Sequence, residues 1–379
     1  MKFTVFCFAL MMAACTALAQ KANDALLLDM YQNQRYMEAA NYLKSVYPEP
    51  VSDMKVLSRL AYTYQMAGKL PDAIGYYQRM YLQDSTNVPV LFNLASLNAT
   101  RDNNAQALFY YQKIIAVDSL NFSVNKRLGN MYSLKLDTVN ALKYLTRANK
   151  IDADEPEVAV QLSAFLLLGN KNKEADAVLR KSLAADTTNI ILIRALMKLS
   201  YATKKYPQTI KYANTLLALG DDNADIYNKM ASAYYELKNY ACCIEWFMEL
   251  PSIYQTERTF YLTAESYKKL KDYNKALEYF NQVLLQSISD NTYAYYSEIA
   301  DTYQTMHKLK PATVNYQKSL FFKEKPMVFY SLANLYDTDL HNKRDAIKYY
   351  KKYLETNPPA KDKDYITYVQ SRIKILQAK

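Results

Sequence analysis

The feature that most constrains the fold is a small residue that recurs at nearly constant intervals. The steps between its copies are 34 residues for six intervals and then 33, 36 and 34. The copies are Ala39, Ala73, Ala107, Ala141, Ala175, Thr209, Cys243, Ala276, Ala312 and Ala346. A fixed period in the range of about 20–50 residues is typical of stacked repeat architectures. Any fold for this chain therefore has to place these positions in equivalent surroundings.

The side chains around each small residue follow the periodicity of helices. In the second copy Leu60 and Tyr64 lie one turn apart on a first helix, and Ala73 and Tyr77 lie one turn apart on a second. A polar turn at 67–71 separates the two helices. Small residues let two helices approach closely, while large ones fill the spaces beside them. Each copy is therefore a helix-turn-helix pair, and it buries both faces only when neighbours stack on it.

Three of the segments that join one pair to the next end in asparagine. Asn87, Asn121 and Asn189 close the segments QDSTN, VDSLN and ADTTN, each just before a predicted helix. An asparagine side chain in that position accepts hydrogen bonds from backbone N–H groups that the first helical turn leaves unpaired. These three residues are therefore predicted to be N-caps.

The repeating pattern resembles that of the tetratricopeptide-repeat family, which has a 34-residue helix-turn-helix unit. The fourth copy matches closely, with Leu128, Gly129, Tyr132, Ala141 and Leu145 in the family's positions. The family's tryptophan is absent from the first helix, and its proline between repeats is mostly replaced by serine or threonine. Each copy alone matches weakly, but ten copies in register make the resemblance specific.

The resemblance implies an all-α fold, a right-handed superhelical solenoid of about ten helix-turn-helix repeats over residues 20–359. Residues 360–379 are expected to form a C-terminal capping helix. The two faces of that helix are an apolar stripe of Tyr365, Val369, Ile373 and Leu376 and a polar side with Arg372, Lys374 and Gln377. The tenth copy, 332–350, requires one inserted residue, which we place in its turn. The sixth copy matches least well and is interpreted as a softer joint.

Residues 1–19 form a different kind of segment. Lys2 precedes an apolar run, and Ala-Leu-Ala comes directly before Gln20. This layout is typical of a secretory signal peptide cleaved before Gln20. An alternative is lipidation at Cys15, because MAAC resembles a bacterial lipobox. Both alternatives predict export to the periplasm or cell envelope, the second as an outer-membrane lipoprotein. The run is shorter than the roughly 20 residues of a spanning helix, so no spanning segment is expected.

No motif for catalysis or cofactor binding is present. The sequence holds no phosphate-binding loop, dinucleotide-binding glycine motif, nucleophile elbow or Cys-x-x-Cys pair. His307 and His341 fall in predicted turns without a second ligand at metal-binding spacing. Cys242 and Cys243 are adjacent in sequence, so a disulfide between them is not expected. We therefore predict neither enzymatic activity nor a cofactor or metal.

The charge balance is moderately basic, with 47 Lys and Arg against 37 Asp and Glu. This excess is spread along the chain, and no basic block of the kind that binds nucleic acid occurs. Nucleic acid is therefore not expected as a partner, and nothing in the sequence indicates an oligomeric state. Tyrosine is frequent, with 37 residues. Since exposed rings stack on sugars, a glycan-associated component remains an alternative.

A binding role follows from the resemblance, which implies that the first helices of successive repeats line a concave groove. Projecting these helices gives the candidate binding residues Lys55, Arg59, Tyr62, Lys126, Arg127, Asn130, Arg194, Lys198, Tyr201, Asn228, Tyr235, Tyr261, Glu265 and Lys268. Arginine, lysine and tyrosine suit an acidic or C-terminal carboxylate segment of a partner. The spacing of Lys126 and Asn130 is similar to part of the family's carboxylate clamp, from which Gln161, Ile191 and Ala195 depart.

These observations together predict a non-enzymatic scaffold that binds proteins or peptides in the bacterial cell envelope. A lipid-anchored component of an outer-membrane assembly is the alternative.

Overall fold

The structure is a computed structural model that describes residues 22–286 and 289–378 of the 379-residue chain. The predicted signal peptide and Cys15 lie outside the described residues. Within the described ranges the regular elements are 21 α-helices, one π-helical segment and two 3-10 turns, with no strand. The predicted all-α fold is confirmed.

The helices belong to two compact units, Met1–Ala185 and Asp186–Lys379. The first unit contains α1 Asp24–Gln32, α2 Tyr36–Val46, α3 Met54–Met66, α4 Leu70–Gln83, α5 Val88–Thr100, α6 Asn104–Val117, α7 Phe122–Leu134, α8 Thr138–Ile151, α9 Pro156–Leu168 and α10 Asn172–Leu183. The second contains α11 Ile190–Ala202, α12 Tyr206–Ala218, α13 Ala224–Glu236, α14 Tyr240–Met248, α15 Glu257–Lys269, α16 Tyr273–Gln286, α17 Thr292–Thr305, α18 Leu309–Phe322, α19 Pro326–Asn334, α20 Lys343–Glu355 and α21 Lys363–Ala378.

Consecutive helices pack in pairs within each unit. In the first unit α1 packs on α2, α3 on α4, α5 on α6, α7 on α8 and α9 on α10. In the second unit the pairs run from α11 with α12 to α19 with α20, and α21 packs on α20. Within a unit, the second helix of each pair also contacts the first helix of the next pair. Each pair is therefore one repeat of the sequence period.

The recurring small residues mark the places where the two helices of a repeat come close together. All ten, from Ala39 to Ala346, have no exposed surface. In the fourth repeat the first helix also approaches the second closely at Gly129. A Cβ atom added there would lie only 2.7 Å from Cδ2 of Leu145 on the second helix. Thr209 fits because its hydroxyl lies 3.0 Å from that of Ser200 on the facing helix. The sequence period is thus a period of close helix contacts.

The turn inside each repeat has one backbone geometry throughout. Its middle residue lies in the left-handed region, with φ between 52° and 72°, always five residues before the small residue. The residues concerned are Gln34, Gly68, Asp102, Leu136, Asn170, Lys204, Lys238, Lys271, His307 and His341. The following residue donates its N–H to an earlier helix carbonyl, as Lys69 does to Tyr64 at 2.9 Å, which closes a Schellman turn. Both histidines therefore lie in turns, as predicted.

The predicted N-caps are confirmed. The side-chain oxygens of Asn87, Asn121 and Asn189 each accept a hydrogen bond from the backbone N–H three residues later, at 3.1–3.2 Å. Asp53 and Asn223 cap the first helices of two other repeats with their side-chain oxygens. The start of these first helices is therefore fixed by local hydrogen bonds as well as by packing.

The tenth repeat departs from the others at the end of its first helix. There the chain forms a π-helical segment, Leu335–Asp339, directly after α19. Three residues, 340–342, separate this segment from α20, as in the other turns. Our placement of the inserted residue in the turn is therefore wrong, because the helix absorbs it by widening. The widened segment contains Asp337, which is 6% exposed.

Asp337 anchors the C-terminal helix α21. Nε and Nη2 of Arg372 donate hydrogen bonds to its two carboxylate oxygens at 2.7 and 2.8 Å. The Tyr350 hydroxyl donates a third hydrogen bond at 3.2 Å. These hydrogen bonds, led by those of Arg372, hold the pKa of Asp337 below its usual range. Our assignment of Arg372 to the polar outer face of the helix is wrong, since the side chain reaches this carboxylate.

The predicted apolar stripe of α21 is mostly correct. Val369, Ile373 and Leu376 are buried in a core cluster with Phe329 of the tenth repeat. Tyr365, the fourth member, is 42% exposed. The helix thus covers the end of the last repeat through three buried apolar side chains, one ion pair and an edge-on contact between the rings of Tyr365 and Tyr330.

Leu136 gives a test of the turn geometry, because it is 87% exposed and has a φ of 58°. A left-handed backbone costs such a residue about 1–2 kcal/mol, which glycine avoids while losing about 0.5–1 kcal/mol in chain entropy. We expect Leu136→Gly to raise the free energy of unfolding by roughly 0.5–1 kcal/mol. Leu134→Gly, at an exposed leucine in the last turn of α7, should lower it. Urea denaturation measures both, and equal losses would contradict the prediction.

Removal of the Arg372 side chain tests the anchor of α21. Arg372→Ala leaves the carboxylate of Asp337, which is 2% exposed, without its charged partner. We expect α21 to lose up to about 3 kcal/mol of stability, less than for a fully buried pair because the guanidinium is 34% exposed. Hydrogen exchange should show lower protection for residues 363–378. Lys374→Ala, an exposed change on the same helix, is the control.

The same anchor should respond to acid. The pKa of Asp337 is lower in the folded than in the unfolded chain. Its stabilising effect is therefore present above the ordinary carboxyl pKa and is lost as the pH falls through the folded value. Protection factors for α21, corrected for intrinsic exchange, should fall at acidic pH in the wild type. They should change less in Arg372→Ala, and an identical response in both proteins would sink the assignment.

Candidate binding site

The candidate binding residues all lie on first helices, distributed over α3, α7, α11, α13 and α15. We call the outward surface of these helices, within each unit, the first-helix face. In the second unit α13 contacts both α11 and α15. Side chains from neighbouring repeats therefore meet on this face.

Most of the basic candidates already have an acidic partner within the chain. Lys126 Nζ lies 2.5 Å from a carboxylate oxygen of Glu155 and 2.6 Å from one of Glu157. Arg194 Nη2 lies 2.6 Å from a carboxylate oxygen of Asp221. The partial carboxylate clamp suggested by Lys126 is therefore closed, because its ammonium group is bound to two carboxylates of the next repeat.

Two further candidate cations are paired in the same way. Arg59 Nη1 lies 2.7 Å from Asp24, and Lys198 Nζ lies 3.7 Å from Asp225. Each pair joins first helices of consecutive repeats or the segment between them. These contacts neutralise charge that an acidic partner would need, so an acidic partner stays a prediction.

Other candidates remain accessible. Lys55 and Arg127 are exposed, and the Arg127 guanidinium lies 5.4 Å from the centre of the Phe92 ring. Tyr62 is 44% exposed and meets the ring of Tyr31 edge-on, with centroids 5.8 Å apart. A ligand can contact these side chains without displacing an ion pair.

The second unit holds an acidic cluster that the sequence predicts only in part. Glu265 on α15 is 7% exposed, and its Oε1 atom has no hydrogen-bond partner. The carboxyl group of Glu298 on α17 lies within hydrogen-bonding range of Glu265. Lys268 Nζ lies 2.7 Å from Glu298 and 2.7 Å from Asp301. Two carboxylates therefore bind one ammonium group, and the Glu265 carboxyl lies beside one of them.

Burial, reinforced by the neighbouring Glu298 carboxylate, raises the pKa of Glu265 to about 7. Two ionised carboxylates only accept hydrogen bonds, so their contact becomes a hydrogen bond only when they share a proton. Because this pKa is about 7, Glu265 carries a proton for much of the time near neutral pH and can donate it in a hydrogen bond to Glu298.

Tyrosine rings complete the surroundings of this pair. The rings of Tyr261 and Tyr295 have centroids 5.4 Å apart, and Tyr235 on α13 also lies near Glu265. Burial raises the pKa of Tyr235 to about 12 and also raises the pKa of Tyr261. Both hydroxyl groups therefore stay neutral at physiological pH. The site is anionic and lined with aromatic rings.

Glu298 and Asp301 lie on the first helix of the ninth repeat, whereas the predicted candidates end with the eighth repeat. The signal needed to find Asp301 is present in the sequence. Asp301 stands eleven residues before Ala312, as Glu265 stands eleven before Ala276. Glu298 stands fourteen residues before Ala312, as Arg59 stands fourteen before Ala73 and Arg127 fourteen before Ala141, so the same register also contains the signal for Glu298.

The helix pair that contains Glu265 matches a known family of repeats. Residues 257–286, which form α15 and α16, match the sequence model of the tetratricopeptide repeat. The other pairs share its period, its buried small residue and its turn geometry. Residues 257–286 are therefore a tetratricopeptide repeat, and the other helix pairs repeat its pattern.

Several solved structures are similar to this chain at low identity. A tetratricopeptide repeat protein from Parabacteroides merdae is 14% identical over 66% of this chain and 98% of its own, with a TM-score of 0.44. YrrB, described as having an unusual peptide-binding site, is 14% identical over 48% of this chain and 94% of its own, with a TM-score of 0.43. Pseudomonas aeruginosa PilF is 17% identical over 58% of this chain and 96% of its own, with a TM-score of 0.42. A comparison with curated proteins gives no match.

The described part of the chain contains no group of three His, Cys, Asp or Glu side chains placed to hold a metal ion. Cys242 and Cys243 are free thiols. Burial raises the pKa of the Cys243 thiol to about 11, so this side chain is a packing residue in thiol form. No helix in residues 22–286 or 289–378 has both the length and the apolar character needed to cross a membrane.

Glutamine at position 265 tests the ionisation of the carboxyl pair. Because the pKa of Glu265 is raised in the folded chain, its ionisation destabilises the fold above the ordinary carboxyl pKa, and the penalty grows until the pH passes about 7. We expect Glu265→Gln to raise stability by about 1–3 kcal/mol at pH 8 and to change it little at pH 4. Urea unfolding at both pH values measures this. Glu278→Gln, at an exposed carboxylate on α16, should show no pH-dependent gain, and the same gain in both variants would refute the assignment.

Proposed function

We propose that this tetratricopeptide-repeat protein is a non-enzymatic scaffold that binds other proteins or their peptide segments on the first-helix face. The proposal is carried by the contrast between two sides of the first helices. On α3, Leu57 and Leu60 are fully buried, while Lys55 and Tyr62 are exposed. Side chains that the core does not use, with tyrosine among them, are suited to contact a partner.

The burial of tyrosines favours a peptide over a sugar as the ligand. Tyr77, Tyr111 and Tyr316 are at most 5% exposed, and they fill spaces between helices. Their frequency in the sequence is therefore explained by packing, and a stack of exposed rings is not needed to account for it.

We place the scaffold in the bacterial cell envelope on the strength of the N-terminal sequence. A signal peptide cleaved before Gln20 gives a protein of the periplasm, and lipidation at Cys15 gives an outer-membrane assembly component. The mass of the mature N-terminus distinguishes the two forms.

The binding face is tested by photocrosslinking in extracts of cells that make the protein. A benzophenone amino acid at Lys55 or Tyr62 should give discrete crosslinked products, because a partner covers these side chains. Leu82 and Phe321, which are 81% and 85% exposed on second helices, are the matched control positions. Excess unlabelled wild-type protein should compete with the products. Equally strong products from both sets of positions would count against the proposed face.

A further inference from the structure

We propose that the first-helix face of the second unit binds a cationic group of the partner, an ammonium or a guanidinium, between Glu265 and Glu298. We call these two carboxyl groups, with the rings of Tyr235 and Tyr261, the cation site. The inference deepens the proposed function and rests on it, because it states the chemistry of the partner at one place on the binding face.

Carboxyl groups outnumber cations around Glu265. Glu265, Glu298 and Asp301 carry three negative charges when ionised, Lys268 supplies one positive charge to Glu298 and Asp301, and Lys269 supplies a second near Glu265. Glu265 Oε1 is left without a hydrogen-bond donor although the residue is 7% exposed. A buried acceptor without a donor is unusual in a folded protein. A donor that also carries positive charge supplies both missing elements.

The rings of Tyr235 and Tyr261 lie near Glu265 and can attract a cation. A cation within about 6 Å of a tyrosine ring centre is attracted to the ring face. Elsewhere in the second unit the chain uses this contact for its own lysines, since Lys229 lies 5.1 Å from the ring centre of Tyr201 and Lys275 lies 5.1 Å from that of Tyr267. The rings near Glu265 therefore add to the attraction that its carboxylate exerts on an ammonium or guanidinium group.

The carboxyl group of Glu298 is accessible from solvent. The side chain of Glu298 is 33% exposed and lines a cavity of about 370 Å³ beside α17 and α19. Lys325, Lys361 and Asp362 line the same cavity. The cavity offers room for the stem of a long side chain whose cationic end reaches the Glu298 carboxylate.

Without a ligand, a proton takes the place of the cation. The proton shared by Glu265 and Glu298 relieves the repulsion between the two carboxylates. A cation that binds between them displaces this proton, so affinity should rise with pH through the neutral range. The titratable and charged groups around Glu265 are Tyr261, Lys268 and Lys269 on its own helix, Tyr235 on α13, Cys243 on α14, and Tyr295, Glu298 and Asp301 on α17. Burial and the neighbouring carboxylate raise the pKa of Glu265 to about 7, while burial raises the pKa of Tyr235 and of Cys243 well above the neutral range.

Isothermal titration calorimetry with three capped eight-residue peptides tests the cation site. The probes alternate alanine with lysine, glutamine or glutamate. We expect the lysine peptide to bind the full-length protein at least tenfold tighter than the glutamine peptide at pH 8. Binding of the lysine peptide should weaken up to about tenfold at pH 6, in proportion to the ionised fraction of the pair. Titration in buffers of different ionisation enthalpy should show proton release near pH 7.

Two variants decide the outcome. Glu265→Gln keeps the shape of the side chain and should weaken lysine-peptide binding about tenfold and remove its pH dependence. Glu278→Gln should leave both unchanged. Equal affinities for the lysine and glutamine peptides, or a pH dependence that persists in Glu265→Gln, overturn the cation site. Thermal unfolding confirms that each variant is folded.

Failure of this inference is distinct from failure of the proposed function. Discrete crosslinks at Tyr62 together with equal peptide affinities leave the scaffold standing without a cation site. Tight lysine-peptide binding without any preference for the first-helix face in crosslinking overturns the scaffold instead.

Discussion

The close contact between the small residue of each second helix and the facing first helix determines the rest of this structure. All ten small residues are completely buried, and the room opposite them is so limited that a methyl group at Gly129 would overlap Leu145. Protein interiors are packed like crystals, so a larger side chain at such a position has to push the helices apart. Because each pair also packs on the next pair within its unit, a displacement in one repeat is passed to its neighbour. The period of the sequence is the consequence of this constraint.

Periodic packing explains why the helix pairs could be predicted from the sequence. It also explains why the left-handed backbone conformation inside most turns could not. Small residues, N-cap asparagines and helical spacing are all visible in the sequence, and they gave the helix pairs correctly. The left-handed turn residue is glycine only at Gly68, so the usual signal for that conformation is missing elsewhere. A backbone penalty of about 1–2 kcal/mol at Leu136 is tolerated because the packing of the two helices and the hydrogen bond that closes the turn outweigh it. Tertiary contacts thus select the turn conformation against local preference.

Contacts between repeats set the limit for predicting the site. The first-helix location of the candidates followed from helical spacing, but the partners of Lys126 lie 29 and 31 residues further along the chain. Such a distance in sequence does not say whether two side chains meet, because the answer depends on how consecutive pairs are stacked. Arg372 shows the same limit in another form. The π-helical widening at Asp337 brings a carboxylate to a side of α21 that helical periodicity assigns to solvent.

The distribution of paired and unpaired charge now separates structural from functional side chains on the first-helix face. Arg59, Lys126 and Arg194 are neutralised by nearby carboxylates, so their charge serves the contacts between consecutive repeats. Glu265 is different, because it is buried beside a second carboxylate and one of its oxygens lacks a donor. An arrangement that opposes folding persists only where other interactions compensate for it, and such arrangements concentrate at functional sites. The repeat array supplies that compensation through its packing, and Oε1 of Glu265 remains without a hydrogen-bond donor. A partner that donates a hydrogen bond to Glu265 would therefore satisfy a buried acceptor that the fold leaves unpaired.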